Sequence, residues 1–454
     1  MKEWVPNVTG AEKPLYQAIV QALESDIRAG VVAHGTRLAP QRDLADQLKI
    51  SVGTVSRAYA EAERLGLVTA GVGRGTFVNS RARATPALPS APWNFALNAP
   101  PRTGEGALIA KHLGDIASEA ALDTLMGYLP HAGHPEHCAI LASAISNVGM
   151  DVDERSIILT PGAQHALDIA LRLTARANDP VVTEAYTFSG LTALAGLSDY
   201  ALVGANLDED GLVPEALDDA LERSGAQVVY ATPTLQTPTG TVMSRARREK
   251  IAEVLERRNV WFVEDDAYAF LPERPVIPIS ALIPDRSFYV TSFAKSLAPG
   301  LRLGALVPPR KFRERAAMAM RATGWMAAPV MAEVVSRMVS SGDFDRQVRL
   351  KRKVAAERTQ LARDVLGDLI VYAPDVSGYH VWVRPPDGSD VLSVLNRASA
   401  AGIVMAAPLL AKMSEPIEPG LRLCLGGFAS DAELANALEA VERLLRSASD
   451  MSYV

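Results

Sequence analysis

Apolar positions along this chain change their pattern after a proline-rich stretch, near Phe95. From Pro14, LYQAIVQALESDIRAG sets Leu15, Ile19, Leu23 and Ile27 four apart between a proline and Gly30, which predicts an amphipathic helix. QRDLADQLKI places Leu44 and Leu48 on one face of a short second helix behind Pro40. Ser51 is positioned to cap a third helix, whose buried face is predicted from Val55, Ala58, Ala62 and Leu65 and whose end is marked by Gly66. LVTAGVGRGTFV, residues 67–78, reads as two short strands around a glycine-rich tip. RARATPALPSAP, residues 81–92, has no apolar period and reads as a linker. Further on, short apolar runs at 156–160, 180–185, 227–233, 260–266 and 286–292 read as strands, with helical patterns at 164–175 and 245–258 between them. The expected fold is therefore multidomain, a mainly α module followed by an α/β domain with a mainly parallel sheet covered on both faces. Sites in such sheets lie beyond the carboxyl ends of the strands.

A chain of 454 residues, 48% hydrophobic and 22% charged, can bury large cores and should divide into two or three domains. No apolar run approaches the roughly 18 to 20 residues of a membrane span, and MKEWVPNVTG is no secretion signal, so a cytoplasmic protein without a membrane partner is expected. Cys138 and Cys424 match no disulfide framework or metal spacing and read as buried small hydrophobes. The net charge of −6 does not advertise nucleic-acid binding, but residues 1–80 hold 9 Lys/Arg against 8 Asp/Glu, so the acidity lies further along. His131, His134 and His137 in HAGHPEH look metal-like, yet the glycine and proline among them break any helix, so they read as loop residues and no metal is expected.

The chemistry concentrates in TSFAKSLAPGLRLG, residues 291–304. Ser292 precedes Lys295 by three positions and Arg302 follows it by seven, around a Pro-Gly turn able to return a guanidinium toward a phosphate held by a hydroxyl. A primary amine beside such an anion site suits a Schiff base with a phosphorylated aldehyde. TPGAQ, residues 160–164, ends one predicted strand and opens a helix, so its free amides and the helix dipole can receive phosphate. The lysine run resembles that of the fold-type I pyridoxal phosphate (PLP) enzymes, the aminotransferase superfamily. That resemblance implies PLP on Lys295, phosphate contacts at Ala163 and Gln164 as well as Ser292 and Arg302, and a stacked aromatic ring in EAYTFSG, residues 184–190. Phe188 is the expected stacking ring, with Tyr186 the alternative. In EDDAY, residues 264–268, it implies Asp265 against the pyridine nitrogen and Tyr268 at the ring hydroxyl, leaving Asp266 to solvent. It also implies that Arg422 clamps a substrate carboxylate, and that Tyr128 in GYLPHAG reaches a neighbour's phosphate across a dimer. The chain departs from the superfamily at Thr237, where asparagine usually precedes Pro-Thr-Gly; a hydroxyl is shorter than a carboxamide, which puts turnover in doubt.

At the start of the chain, Gly53, Thr54, Ser56 and Arg57 offer small or hydrogen-bonding groups at the exposed beginning of the third helix, and Arg74 sits at the tip of the strand pair. The stretch 39–68 with GRGTFV resembles the winged helix-turn-helix of the GntR regulators. That likeness implies double-stranded DNA as partner and contacts at Arg42, Ser51, Gly53, Thr54, Arg57 and Arg74. Val52 stands where several GntR subfamilies have arginine, so their base preference does not carry over. As a whole the chain resembles the MocR subgroup, GabR-like regulators. The expected domains are 1–80, a linker at 81–92, and 93–454, the last with a large subdomain at about 135–335 and a small one mostly at 336–454. The resemblance implies a head-to-tail homodimer in which an amine or amino-carboxylate effector displaces Lys295 from its aldimine and small-domain closure repositions the DNA-binding heads. An active aminotransferase and a sensor of PLP itself are the alternatives.

Overall fold

The computed structural model describes residues 4–6, 14–28, 31–32, 36–64, 67–71, 75–78, 93–119, 121–372, 377–385, 391–406 and 420–447. Its chain divides into two units, Met1–Ser90 and Ala91–Val454. The stretch read as a linker, together with Gly30, Leu65, Gly66 and Arg74, lies outside the described residues.

In the first unit the helices Leu15–Arg28, Gln41–Leu48 and Val52–Arg64 close around one apolar cluster. Ile19, Leu23, Leu44, Val55, Ala58 and Ala62 are buried there, as the four-residue spacing predicts, while Leu15, Ile27 and Leu48 are half-buried at its margin. Lys49 stops the second helix by taking a left-handed backbone, φ 53°, with its N–H on the carbonyls of Ala45 and Asp46. Ser51 then accepts from the Thr54 N–H at 3.2 Å and starts the third. Strands Val68–Gly71 and Gly75–Val78 pair antiparallel, with Val68 opposite Val78, and Arg37 bridges to Phe77 on their outer side. This is a winged helix-turn-helix built around the Tyr59 hydroxyl, which donates to the Ala39 carbonyl at 2.8 Å and ties the third helix to the loop before the second.

The second unit is organised by a seven-stranded sheet in the order Ile158–Thr160, Gly304–Val307, Ser287–Ser292, Trp261–Asp265, Val228–Ala231, Pro180–Glu184, Ala201–Ala205. Four pairings are parallel, and Gly304–Val307 runs against both of its neighbours. Alternation along the strands divides the core. Val181, Tyr230, Val263 and Phe288 turn toward the helix Ala163–Thr174, whereas Val182, Val229 and Phe262 face Pro214–Ser224 and Arg245–Arg258. Five strands fall inside the apolar runs read from the sequence. The other two, ALVGA and GALV, were missed because alanine and glycine give them no strand signature.

A separate core lies under a three-stranded antiparallel sheet, Ile370–Val371, His380–Val383 and Leu421–Cys424, with the helices Asp343–Leu366, Val391–Ala400 and Asp431–Arg446. The start of the second unit is laid into this C-terminal core: Trp93–Asn94 pairs parallel with Ile403–Val404, and Phe95 is fully buried beside Leu421 and Leu423. Among the described residues no helix is long and apolar enough to cross a membrane.

Leu44 has no exposed surface, so Leu44→Ala should destabilise the first unit by about 2–5 kcal/mol through a cavity. The expected result is a two-step urea curve whose first transition moves to lower denaturant while the second stays in place; one common shifted transition would contradict the division into units.

Candidate functional site

The lysine segment is shaped by its own chain. Strand Ser287–Ser292 ends at a serine whose hydroxyl accepts from the Ala294 N–H at 3.1 Å, starting the short helix Phe293–Ser296 that carries Lys295. A single 3-10 turn, Pro299–Leu301, follows, and Arg302 adopts φ 48°, a left-handed backbone that costs a non-glycine residue energy. The chain thereby turns back, and the Arg302 guanidinium reaches the Pro161 carbonyl at 3.1 Å. Two glycines permit this approach. A Cβ at Gly162, φ 90°, would lie 2.8 Å from an Arg302 nitrogen, and one at Gly304 would lie 2.7 Å from the Ala163 N.

A cavity of about 390 Å³ opens here, beyond the carboxyl ends of the strands. Its cationic end is formed by Ser292, Arg302 and the first turn of the helix Ala163–Thr174, including Ala163 and Gln164, whose amides have no intrahelical acceptor. Phe188, Asp265, Thr237, Tyr268 and Arg422 also line the space around Lys295. Ten residues singled out in the sequence thus meet in one cavity. Tyr186 does not line it; its ring is buried against Trp382 at 4.8 Å, whereas Phe188 does line it. Tyr128 also lies apart, 83% exposed and paired with the Trp325 ring at 5.5 Å.

Electrostatics in the cavity follow from burial. Desolvation pushes the Lys295 amine down to about 8, helped by Arg422 and opposed by Cys424 and Asp265. Its Nζ donates to the Asn98 carbonyl oxygen. Burial also raises the Asp265 carboxyl to about 6, although it accepts from the Tyr230 hydroxyl at 3.2 Å and the Ala267 N–H at 3.3 Å. Tyr268 is pushed up by burial and stays a neutral phenol. Arg422 donates one terminal nitrogen to the Ala96 carbonyl at 2.8 Å, while its buried Nε has no partner. The anion cradle, the softened amine, the deep carboxylate and the ring wall make a donor set that fits a phosphorylated aromatic aldehyde.

Two sequence readings are corrected. Asp266 is not left to solvent; it is 1% exposed, accepts from the Tyr289 hydroxyl at 3.1 Å and is offset by the neighbouring Arg248. Nor are all three histidines loop residues. Pro135 starts the helix Pro135–Ser146, because its missing N–H falls where none is needed, and His137 is buried in that helix 2.8 Å from Glu333. His131 contacts the Trp325 carbonyl, and among the described residues no group of three or more His, Cys, Asp or Glu could hold a metal ion. Both cysteines are buried.

Sequence reasoning missed Asn98, Thr232 and Ala267 in the cavity wall and His380 behind it. Asn98 stands in FALNAPP, a run that carries no periodic or motif signal. In the first unit Arg42, Ser51, Gly53 and Arg57 are exposed and Thr54 half-exposed around the start of the third helix, with the Arg57 guanidinium 4.2 Å above the Tyr16 ring. Val52 is 42% exposed at the same helix end.

The family described as Aminotransferase class I and II matches residues 94–441, and that described as Bacterial regulatory proteins, gntR family, matches residues 15–78. The chain is 27% identical over 460 residues to the uncharacterized HTH-type transcriptional regulator YdeF of Bacillus subtilis, covering 97% of this chain and 96% of that one. It is 28% identical over 411 residues to the probable rhizopine catabolism regulatory protein MocR of Rhizobium meliloti, covering 82% of each. In fold it resembles the kynurenine aminotransferase of Pyrococcus horikoshii, with TM-score 0.71 at 24% identity over 78% of this chain and 90% of that one. LysN, the alpha-aminoadipate aminotransferase of Thermus thermophilus, gives TM-score 0.72 at 22% identity over 87% and 99%. The chain thus belongs to the aminotransferase class I and II family and carries a GntR-family helix-turn-helix region fused ahead of that domain, the arrangement of the MocR-like regulators.

Proposed function

We propose that this protein is a PLP-dependent transcriptional regulator, which binds operator DNA through residues 1–80 and detects a small amino carboxylate in residues 93–454. The observation that carries this reading is the meeting of Lys295, Asp265, Arg302 and Arg422 in one cavity of a chain headed by a GntR-type winged helix. When bound, PLP supplies an aldehyde carbon that takes a primary amine as a Schiff base. Ser292, Arg302 and the amides of Ala163 and Gln164 hold its phosphate, Phe188 covers the ring, and Asp265 keeps the ring nitrogen protonated. Tyr268 and Thr237 stand near the ring hydroxyl. Lys295, softened to about 8, offers a larger share of unprotonated amine near neutrality than an ordinary lysine. Arg422 selects a carboxylate among amines, a role supported by its place in the cavity lining beside Lys295. Tyr128, exposed in the single chain, suits a contact with a neighbour's phosphate in a head-to-tail homodimer.

On the DNA side, Arg42, Ser51, Gly53, Thr54 and Arg57 approach a major groove, and Arg74 touches the backbone or minor groove. The linker 81–92 joins heads to sensor, and the cytoplasm supplies both DNA and metabolite. Signalling requires that the effector bind one arrangement of the heads more tightly than another. A working aminotransferase is the second reading, favoured by the presence of the amine, the deep carboxylate and the arginines; steady turnover of an amino donor with a keto acid would establish it.

Lys295→Ala should abolish the visible absorption of the PLP-loaded protein and its effector response while operator binding persists; unchanged absorption would sink the cofactor assignment. Arg42→Ala should weaken binding at every operator and lower the salt slope by about one, with cofactor spectra untouched. The rate of PLP loading should rise with pH and level off above about 8, because only the unprotonated Lys295 amine can attack the aldehyde. Levelling only in the ordinary lysine range, about 10.4, would contradict the burial of that amine.

A further inference from the structure

Asn98 touches Lys295, Tyr268 and His380 together. Its main-chain oxygen accepts from the Lys295 Nζ, and its Nδ2 lies 2.8 Å from the Tyr268 hydroxyl and 3.2 Å from His380 Nδ1. The direction of these bonds is set further back. His380 Nε2 lies 3.1 Å from the Gln236 main-chain carbonyl, which can only accept, so Nε2 carries the ring proton. In the neutral ring Nδ1 is then an acceptor, and the atom of Asn98 that faces it must be a donor. His380 is fully enclosed, and burial together with the Arg422 and Lys295 cations presses its basicity down to about 3, so the ring stays neutral. The amide orientation of Asn98 is therefore fixed: one N–H goes to His380 and the other to the oxygen of Tyr268. With its acceptor side filled by Asn98, the Tyr268 phenol has its own proton free for the cavity that it lines.

The geometry points to Asn98 as a positioning residue that fixes Tyr268 as a hydrogen-bond donor into the site, supplying through His380 and the Gln236 carbonyl the carboxamide that position 237 lacks. Two observations stand behind this. Thr237 gives its main-chain N–H to Thr232 Oγ1 at 3.3 Å and ends in a hydroxyl, so no amide projects from that side. The relay begins at Gln236, the residue next to the departure, and ends at Tyr268 in the cavity lining. The Asn98 Oδ1, buried and without a partner, is the acceptor left over when Nδ2 serves both neighbours.

The consequence for a bound cofactor rests on the PLP reading above. A phenol whose proton is directed at an anionic oxygen in the cavity stabilises that charge and lowers the pH at which the adjoining imine loses its proton. The test has two arms. In 15N-histidine-labelled protein without cofactor, His380 should show the Nε2–H tautomer throughout the neutral range; the Nδ1–H tautomer would overturn the relay. In PLP-loaded protein, Asn98→Ala should raise the pH midpoint of the visible absorption on the order of half a unit, and should add nothing in a Tyr268→Phe background. An unchanged midpoint, or an equal rise in that background, refutes a role exerted through Tyr268. Should wild-type protein show no PLP band at all, the cofactor reading fails while the histidine tautomer still decides the relay.

Discussion

Three consecutive acids at the end of one strand constrain everything around the cavity. Glu264, Asp265 and Asp266 are all buried, and charge there is tolerated only where it is paired or hydrogen-bonded. Strand alternation sends Glu264 and Asp266 to one side and Asp265 to the other. Glu264 accepts from the main-chain N–H groups of Ile279 and Ser280, at 3.1 and 2.7 Å, and faces the fully buried Arg248 at 3.7 Å. Asp266 takes the Tyr289 hydroxyl and shares the field of that arginine. Arg248 also donates to the carbonyls of Met243 and Pro233, so one buried guanidinium serves both carboxyl groups and the chain beside them. Behind this lock, Asp265 alone is left to face the cavity and Lys295.

The far side of the cavity is built from distant chain. Residues 93–99 are held by pairing with Ile403–Val404 and by the Cys424 N–H on the Phe95 carbonyl at 3.0 Å. The same short segment gives carbonyl oxygens to Lys295 from Asn98 and to Arg422 from Ala96. A site assembled from residues near 98, 265, 295 and 422 closes only when both cores of the second unit are folded. Chemistry at the lysine is thereby tied to the position of the C-terminal core.

What the sequence disclosed and what it hid have one physical distinction. Lys295, Ser292 and Arg302 were legible because a local turn, with its Pro-Gly step and its left-handed Arg302, assembles them within a dozen residues. Asp265 and Tyr268 were legible for the same reason, since a strand end and the turn after it fix their separation. Asn98 and His380 were not, because their contact spans 282 positions and neither sits in a local pattern. Asp266 was misjudged because its burial depends on Arg248 and Tyr289, and nothing in the run EDDAY announces them. His137 was misread because a proline was taken as a helix breaker where it is a helix starter.

The two polar anchors of the cavity differ in what a ligand does to them. Arg422 lines the cavity with one terminal nitrogen already on the Ala96 carbonyl, so a carboxylate can meet the guanidinium without taking that bond from residues 93–99. That contact adds affinity and selectivity, and by itself it has no reason to favour one arrangement of the chain over another. Lys295 is the opposite case. Its amine is held by the Asn98 carbonyl, so any reaction at that nitrogen must release or redirect a bond to the segment 93–99. A change at the lysine amine is therefore also a change at residues 93–99, which are tied to the C-terminal core.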